Sequence, residues 1–153
     1  MKAALDTNIL VYAAGVNDAR RQAGALALVT ALSVDSIVIP VQALGELFHV
    51  LTRKARWPVD RARDTMLAWR DSFETVPTTA NVIAAAAQLS ITHKLSIWDS
   101  VVLAAANEAG CRLVISEDLQ DGFIWQGLTV VNPFAPVRHP LLDALLGTSH
   151  PFL

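Results

Sequence analysis

Short runs of aliphatic and β-branched residues alternate along this chain with longer segments whose apolar side chains recur every three or four positions, the pattern of strands separated by helices. The first run, residues 2 to 6, holds Ala3-Ala4-Leu5 and leads into Asp6-Thr7-Asn8, after which an apolar stretch continues from Ile9 to Ala14. Ala25, Leu28, Val29 and Leu32 fall on one helical face behind a cap at Asn17 or Asp18. Ile37-Val38-Ile39, within 36–40, predicts a second strand, and Leu44, Leu47, Phe48 and Leu51 form the stripe of the helix behind it, with Glu46 beside that stripe near the helix start. Pro58 opens a helix with Ala62, Met66, Trp69 and Phe73 on its apolar side, and Thr78 or Thr79 caps another through Val82, Ala85, Ala86 and Leu89. These two read as an inserted helical pair. Ser96 begins a helix that runs to Ala109 and closes on Gly110, ahead of strands at 113–116 and 128–131.

Apolar strands joined through helices imply parallel pairing with both sheet faces covered, because parallel strands need crossover connections. The predicted fold class is therefore α/β, a three-layer α/β/α sandwich around a mainly parallel sheet. Residues 1–132 form that domain. Residues 133–153, with four of the seven prolines and the pairs Leu141-Leu142 and Leu145-Leu146, read as a tail packed on the domain or on a partner. In open sheets of this kind ligands bind beyond the carboxyl ends of the strands, where strand order reverses. Asp6 and Asp118 directly follow strands, and Glu46 and Asp99 are placed in the first turns of helices, so all four acids are expected at that edge.

At 153 residues and 53% hydrophobic content, the chain has enough material for one domain with a sizeable core. Its mean hydropathy is positive, yet no apolar stretch reaches the roughly 18 residues of a membrane span. No membrane association is expected. Asp6 and Asp18 interrupt the region where a signal peptide would carry its apolar core. A single cysteine, Cys111, allows no internal disulfide, which fits a cytoplasmic setting. The formal charge of -2 gives no global sign of nucleic-acid binding, but Arg53, Lys54, Arg56, Arg61 and Arg63 place five of the twelve Lys and Arg residues in one short segment. Arg53, Lys54 and Arg56 are candidate contacts to an RNA backbone; the alternative is a solvated helix end.

Two carboxylates about 4 Å apart repel by roughly 4 kcal/mol at an effective dielectric near 20, so four gathered together call for a cation. Oxygen donors without Cys or His favour Mg²⁺ or Mn²⁺, ions that activate water and offset charge on phosphoryl oxygens. Thr7, Asn8 and Ser116 are placed to hold those carboxylates from behind. Singly, each acid has an ordinary explanation: Ser96-Ile97-Trp98-Asp99 matches a capping box, Asp6 suits a turn, and Glu46 suits an exposed helix face. The fourth acid stays open among Glu117, Asp118 and Asp121. The four histidines lack zinc spacing, Glu46-x-x-His49 has no second copy for a di-iron site, and no glycine-rich phosphate loop occurs. No bound nucleotide cofactor is expected. The tryptophans offer stacking surfaces for bases, although core packing is their commoner duty.

Leu5-Asp6-Thr7-Asn8-Ile9-Leu10, Glu46 in the second helix, Ser96-Ile97-Trp98-Asp99-Ser100 followed by Ala104-Ala105-Ala106, and Leu113-Val114-Ile115-Ser116-Glu117-Asp118 together resemble the PIN-domain family. Among its members the chain looks most like the VapC-type toxins of toxin-antitoxin pairs, small single-domain ribonucleases held inactive by a cognate antitoxin. Ser116 stands where many members carry Thr, which keeps the hydroxyl. The resemblance implies that Asp6, Glu46, Asp99 and Asp118 are catalytic and metal-holding, with Asp6 and Asp99 as direct Mg²⁺ ligands. It further implies homodimers, an antitoxin segment that brings a basic side chain into the acidic groove, and Mg²⁺-dependent endonucleolytic cleavage of RNA with a 5′-phosphate product. Two other readings are a non-catalytic binding module on the same fold and a housekeeping RNA-processing nuclease.

Overall fold

Strands of three or four residues persist in a domain of this size when both faces are buried, and parallel pairing between them requires a helix at each crossover. The computed structural model describes residues 1–16 and 18–147. Its strands are β1 (Ala3–Leu5), β2 (Ile37–Pro40), β3 (Glu74–Val76), β4 (Leu113–Ile115), β5 (Ile124–Trp125) and β6 (Leu128–Val131), in one sheet of order β3-β2-β1-β4-β6-β5. All neighbours pair in parallel except β5 with β6, which run antiparallel. The helices are α1 (Thr7–Ala13), α2 (Ala19–Ala31), α3 (Val41–Arg53), α4 (Val59–Ser72), α5 (Ala80–His93), α6 (Ile97–Glu108) and α7 (Pro140–Gly147). This is the three-layer α/β/α arrangement with a mainly parallel sheet.

Side chains alternate across the strands, and the two cores follow that alternation. Ala3, Leu5, Ile37, Ile39, Leu113 and Ile115 face a layer built on α1, α2, α3 and α7, in which Leu47 and Leu51 are fully buried. Ala4, Val38, Val114 and Val130 face α5 and α6. Ser100 to Ala106 are buried without interruption, so α6 lies against the sheet over almost two turns, and its small Ala104-Ala105-Ala106 run allows that approach. Leu142 and Leu145 of α7 enter the first core, which places this part of the tail on the domain. Residues 148–153 of the predicted tail lie outside the described residues.

The structure corrects some local expectations and decides between the alternatives in others. Asp6-Thr7-Asn8 does not make a free turn: α1 starts at Thr7, with Asp6 as its N-cap. The helix after it is capped by Asp18, whose side chain accepts from the Arg20 and Arg21 amides; Asn17 lies outside the described residues. The segment from Pro58 to Leu89 is not an inserted helical pair, because β3 separates its helices and extends the sheet. α4 packs on α3, whereas α5 packs on α6. Glu46 is in the second turn of α3 rather than its first, since that helix begins immediately after Pro40. Thr79, not Thr78, caps α5 through the Val82 amide.

The sheet order reverses between β1 and β4, whose neighbours step outward in opposite directions. Backbone pairing continues past both strands, from the Asp6 amide to the Ile115 carbonyl and from the Ser116 amide to the Val131 carbonyl, each at 3.0 Å. The residues after β1 and β4 are thereby fixed side by side at the carboxyl edge.

Candidate acidic site at the carboxyl edge of the sheet

Asp6 is the buried centre of this edge, with 6% of its surface exposed. Its Oδ1 accepts from the Thr7 amide at 2.8 Å, and its Oδ2 accepts from the Ser116 hydroxyl at 2.8 Å and the Asn8 side-chain amide at 3.3 Å. Burial nevertheless outweighs these donors and raises its carboxyl to about 6, with the charges of Glu46 and Asp99 pushing in the same direction. Glu46 reaches the site from α3, held by the Thr7 hydroxyl at 2.7 Å and the Gln42 amide at 2.8 Å. Gln42 lies one helical turn before Glu46, a spacing that would have made it legible in the sequence.

Asp99 is exposed in the first turn of α6, where its amide donates to the Ser96 hydroxyl at 3.1 Å. The capping contact and proximity to Asp6 thus coexist. Asp118 stands at the open rim; its carboxyl is raised by partial burial, then by the neighbouring charge of Glu117, with Asp99 adding to the effect and Lys54 opposing it.

Asn8 and Ser116 join the acids into one unit. The Asn8 amide nitrogen lies 3.1 Å from the Ser116 hydroxyl and 3.4 Å from Asp118 Oδ2, while its oxygen accepts from the Glu117 amide at 3.0 Å. The Ser116 hydroxyl also accepts from the amides of Asp118 and Leu119. The three acids after β4 go to different places. Glu117 is held by Arg21 and Tyr12, Asp121 accepts from the Asn132 amide at 2.9 Å, and Asp118 turns toward Asn8. Nothing in the sequence marks the Arg21–Glu117 partnership, whose members are 96 positions apart.

Of the basic cluster, Arg53, Lys54 and Arg56 are exposed where α3 turns into α4, and Lys54 is near enough to act on Asp118. Arg56 adopts a left-handed backbone with φ of 56°, which redirects the chain into α4. Arg63 instead pairs with Asp60 and Asp64, and Arg61 lies 3.7 Å above the Trp57 ring. Trp69 stacks on Phe73 and Trp125 packs on the α6 side, but Trp98, next to Asp99, is 54% exposed.

A depression of about 350 Å³ runs along Gln42, Glu46, His49 and Thr78, so that of the four acids it meets only Glu46, and a cavity of about 760 Å³ lies away from them between α2 and α7. Asp99 and Asp118 are exposed at the edge, which suits a polymer better than a small ligand enclosed on all sides. The donor set is all oxygen, and the surplus of negative charge around Asp6 fits a hard divalent cation. Among the described residues no three His, Cys, Asp or Glu side chains already close into a metal cage. The carboxylates share a field without converging on one point.

Comparison with known proteins places the chain in a family. The chain is similar to solved structures of VapC20 from Mycobacterium tuberculosis, described as a sarcin-ricin loop cleaving toxin, at 19% identity over 74% of this chain and 87% of that one, with a TM-score of 0.64. It is also similar to a toxin-antitoxin complex from Klebsiella pneumoniae, at 20% identity over 87% and 98%, TM-score 0.66, and to VapBC2 of Rickettsia felis bound to a promoter DNA fragment, at 15% over 85% and 97%, TM-score 0.62. At these identities the likeness is one of fold. No curated protein sequence matches the chain. The model of the PIN domain, however, matches residues 3–121, well over half the chain and the whole span from β1 through the last of the three acids after β4. The chain belongs to the PIN domain family.

Proposed function

We propose that this protein is a Mg²⁺- or Mn²⁺-dependent endoribonuclease, the toxin of a VapBC-type pair. The observation that carries this reading is Asp6: a carboxylate buried at the switch point of the sheet, whose charge is opposed by Glu46 and Asp99 rather than relieved by a neighbouring cation. Asp6 and Asp99 would hold the cation directly, with Glu46 and Asp118 completing its surroundings. When bound, that cation supplies Lewis-acid stabilisation of phosphoryl charge and lowers the pKa of a nucleophilic water. The chain's own contribution is orientation. Thr7, Asn8, Gln42 and Ser116 fix the carboxylate oxygens before substrate arrives, and such supporting bonds carry roughly 10–100-fold in metal affinity or activity.

Lys54, with Arg53 and Arg56, would hold the RNA backbone where it enters the edge, in salt-sensitive contacts. The similar structures include toxin-antitoxin complexes, which supports a protein partner; in this proposal the partner lies over the same edge, where a basic side chain would satisfy the acids in place of the cation. A homodimer is part of the proposal. The test is cleavage of RNA by the purified chain with Mg²⁺ or Mn²⁺, compared with Asp6→Asn and Asp99→Asn. Metal-dependent cleavage with 5′-phosphate ends that both variants lose supports the reading, and cleavage retained by both overturns it.

A further inference from the structure

We infer that the segment after β6 is part of the site's support: Phe134 and Tyr12 pack around Arg21, Arg21 holds Glu117 away from the edge, and of two adjacent acids only Asp118 is left facing Asp6 and Asp99. The inference rests on the metal-dependent reading above and concerns which residues position Asp118. Arg21 Nε lies 2.7 and 3.0 Å from the two Glu117 oxygens, and the Tyr12 hydroxyl donates to the same carboxylate at 2.6 Å. The Arg21 guanidinium also bonds Asp18 and sits 5.7 Å from the centre of the Tyr12 ring and 5.5 Å from that of Phe134, while the two rings meet edge to face at 5.6 Å.

Phe134 is anchored in turn. Its amide donates to the Asn132 side chain, and the Asn132 amide donates to Asp121, so the loop bearing Asp118 is tied to the same segment at its far end. Gly24 makes room for the ring: a Cβ there would stand 3.0 Å from Phe134 Cε1.

An exposed ion pair would count for little. This one differs because Glu117 has only 19% of its side chain exposed, is met by two side-chain donors, and has its own amide fixed by Asn8. The next residue in the chain is Asp118. Arg21, Tyr12 and Phe134 are therefore positioning residues that act through Glu117.

The experiment is calorimetric titration of Mn²⁺ into the full chain without RNA, with thermal denaturation in chelator as a check on folding. Arg21→Gln, Glu117→Gln and Phe134→Leu are each expected to weaken Mn²⁺ binding about tenfold. Phe134→Tyr should restore it, and the Arg21→Gln, Glu117→Gln double variant should be no weaker than either single one. Lys2→Gln, which removes an ion pair with Glu74 at the opposite end of the sheet, should leave binding unchanged. Unaltered Mn²⁺ affinity in folded Arg21→Gln or Glu117→Gln overturns the inference while leaving the metal site standing; should Arg21→Gln fail to fold, the isosteric Glu117→Gln decides. Equal binding by the unaltered chain and Asp6→Asn removes the metal site itself, and the inference with it.

Discussion

The two ends of the sheet treat charge in opposite ways. At the amino end, Lys2 meets Glu74 at 2.9 Å with both side chains roughly half exposed, and neither charge is left without an opposite. At the carboxyl end, Asp6 is buried, its surroundings hold Glu46, Asp99 and Asp118, and the guanidinium of nearby Arg21 is committed to Glu117 and Asp18. A charge beside its opposite stabilises the fold modestly and needs no further explanation. Charges of one sign held together by hydroxyl and amide donors are unfavourable in the protein alone, and such arrangements mark places where something else binds.

The largest effect separating the two ends should be on catalysis. Asp99→Asn is expected to lower metal-dependent RNA cleavage about 10³-fold, corresponding to the several kcal/mol that a correctly held cation contributes to the reacting phosphoryl group. Glu74→Gln should leave the rate unchanged, and equal losses in the two variants would erase the distinction between the ends.

Stability against pH gives the next contrast. Asp6 has its folded-state carboxyl raised to about 6 from an ordinary 3.8, so the unfolded chain loses this proton more readily than the folded one. The sign follows: stability associated with the protonated group is complete below about pH 4 and is lost as pH rises through 6, a change of about 3 kcal/mol. Chemical denaturation in chelator at pH 5 and pH 8 should show about half of that loss, roughly 1.4 kcal/mol, to which Asp118 adds in the same direction. In Asp6→Asn most of it should vanish.

Smaller effects are expected on the rim. Lys54→Gln together with Arg56→Gln should weaken RNA binding about tenfold at low salt and reduce the slope of log affinity against log salt by about 1–2. Binding unchanged in both affinity and salt slope would remove the basic turn from the site. Smallest of all, Lys2→Gln should shift folding stability by less than about 1 kcal/mol.

Much of this architecture is legible in the residues, for identifiable reasons. Ile37-Val38-Ile39 and Leu113-Val114-Ile115 are continuous apolar runs because both sheet faces bury them, and Ser96 and Gly110 bracket α6 as cap and left-handed stop. β3 and β5 escape such reading because each is a short edge strand with exposed positions, such as Glu74 and Ile124. α1 escapes because Ile9-Leu10-Val11 is apolar without a period, and Asp6-Thr7-Asn8 suits a turn as well as a helix start. The four acids stand out only in combination. Which acid after β4 faces the others is set by Arg21, Tyr12 and Asn132, partners supplied by the fold at long sequence separation. Local pattern therefore suffices for the layers and for the position of Asp6 at the end of β1, but not for the contacts that sort Glu117 from Asp118.

The surplus negative charge at the carboxyl edge is the central claim, and its most direct test is the thermal midpoint of the purified chain at pH 8 as Mg²⁺ is titrated from chelator to excess. An ion bound by the folded state alone raises that midpoint progressively with its concentration. The midpoint of the unaltered chain is expected to climb and that of Asp6→Asn to stay flat. Flat curves for both, or equal climbs, would contradict a cation site built around Asp6.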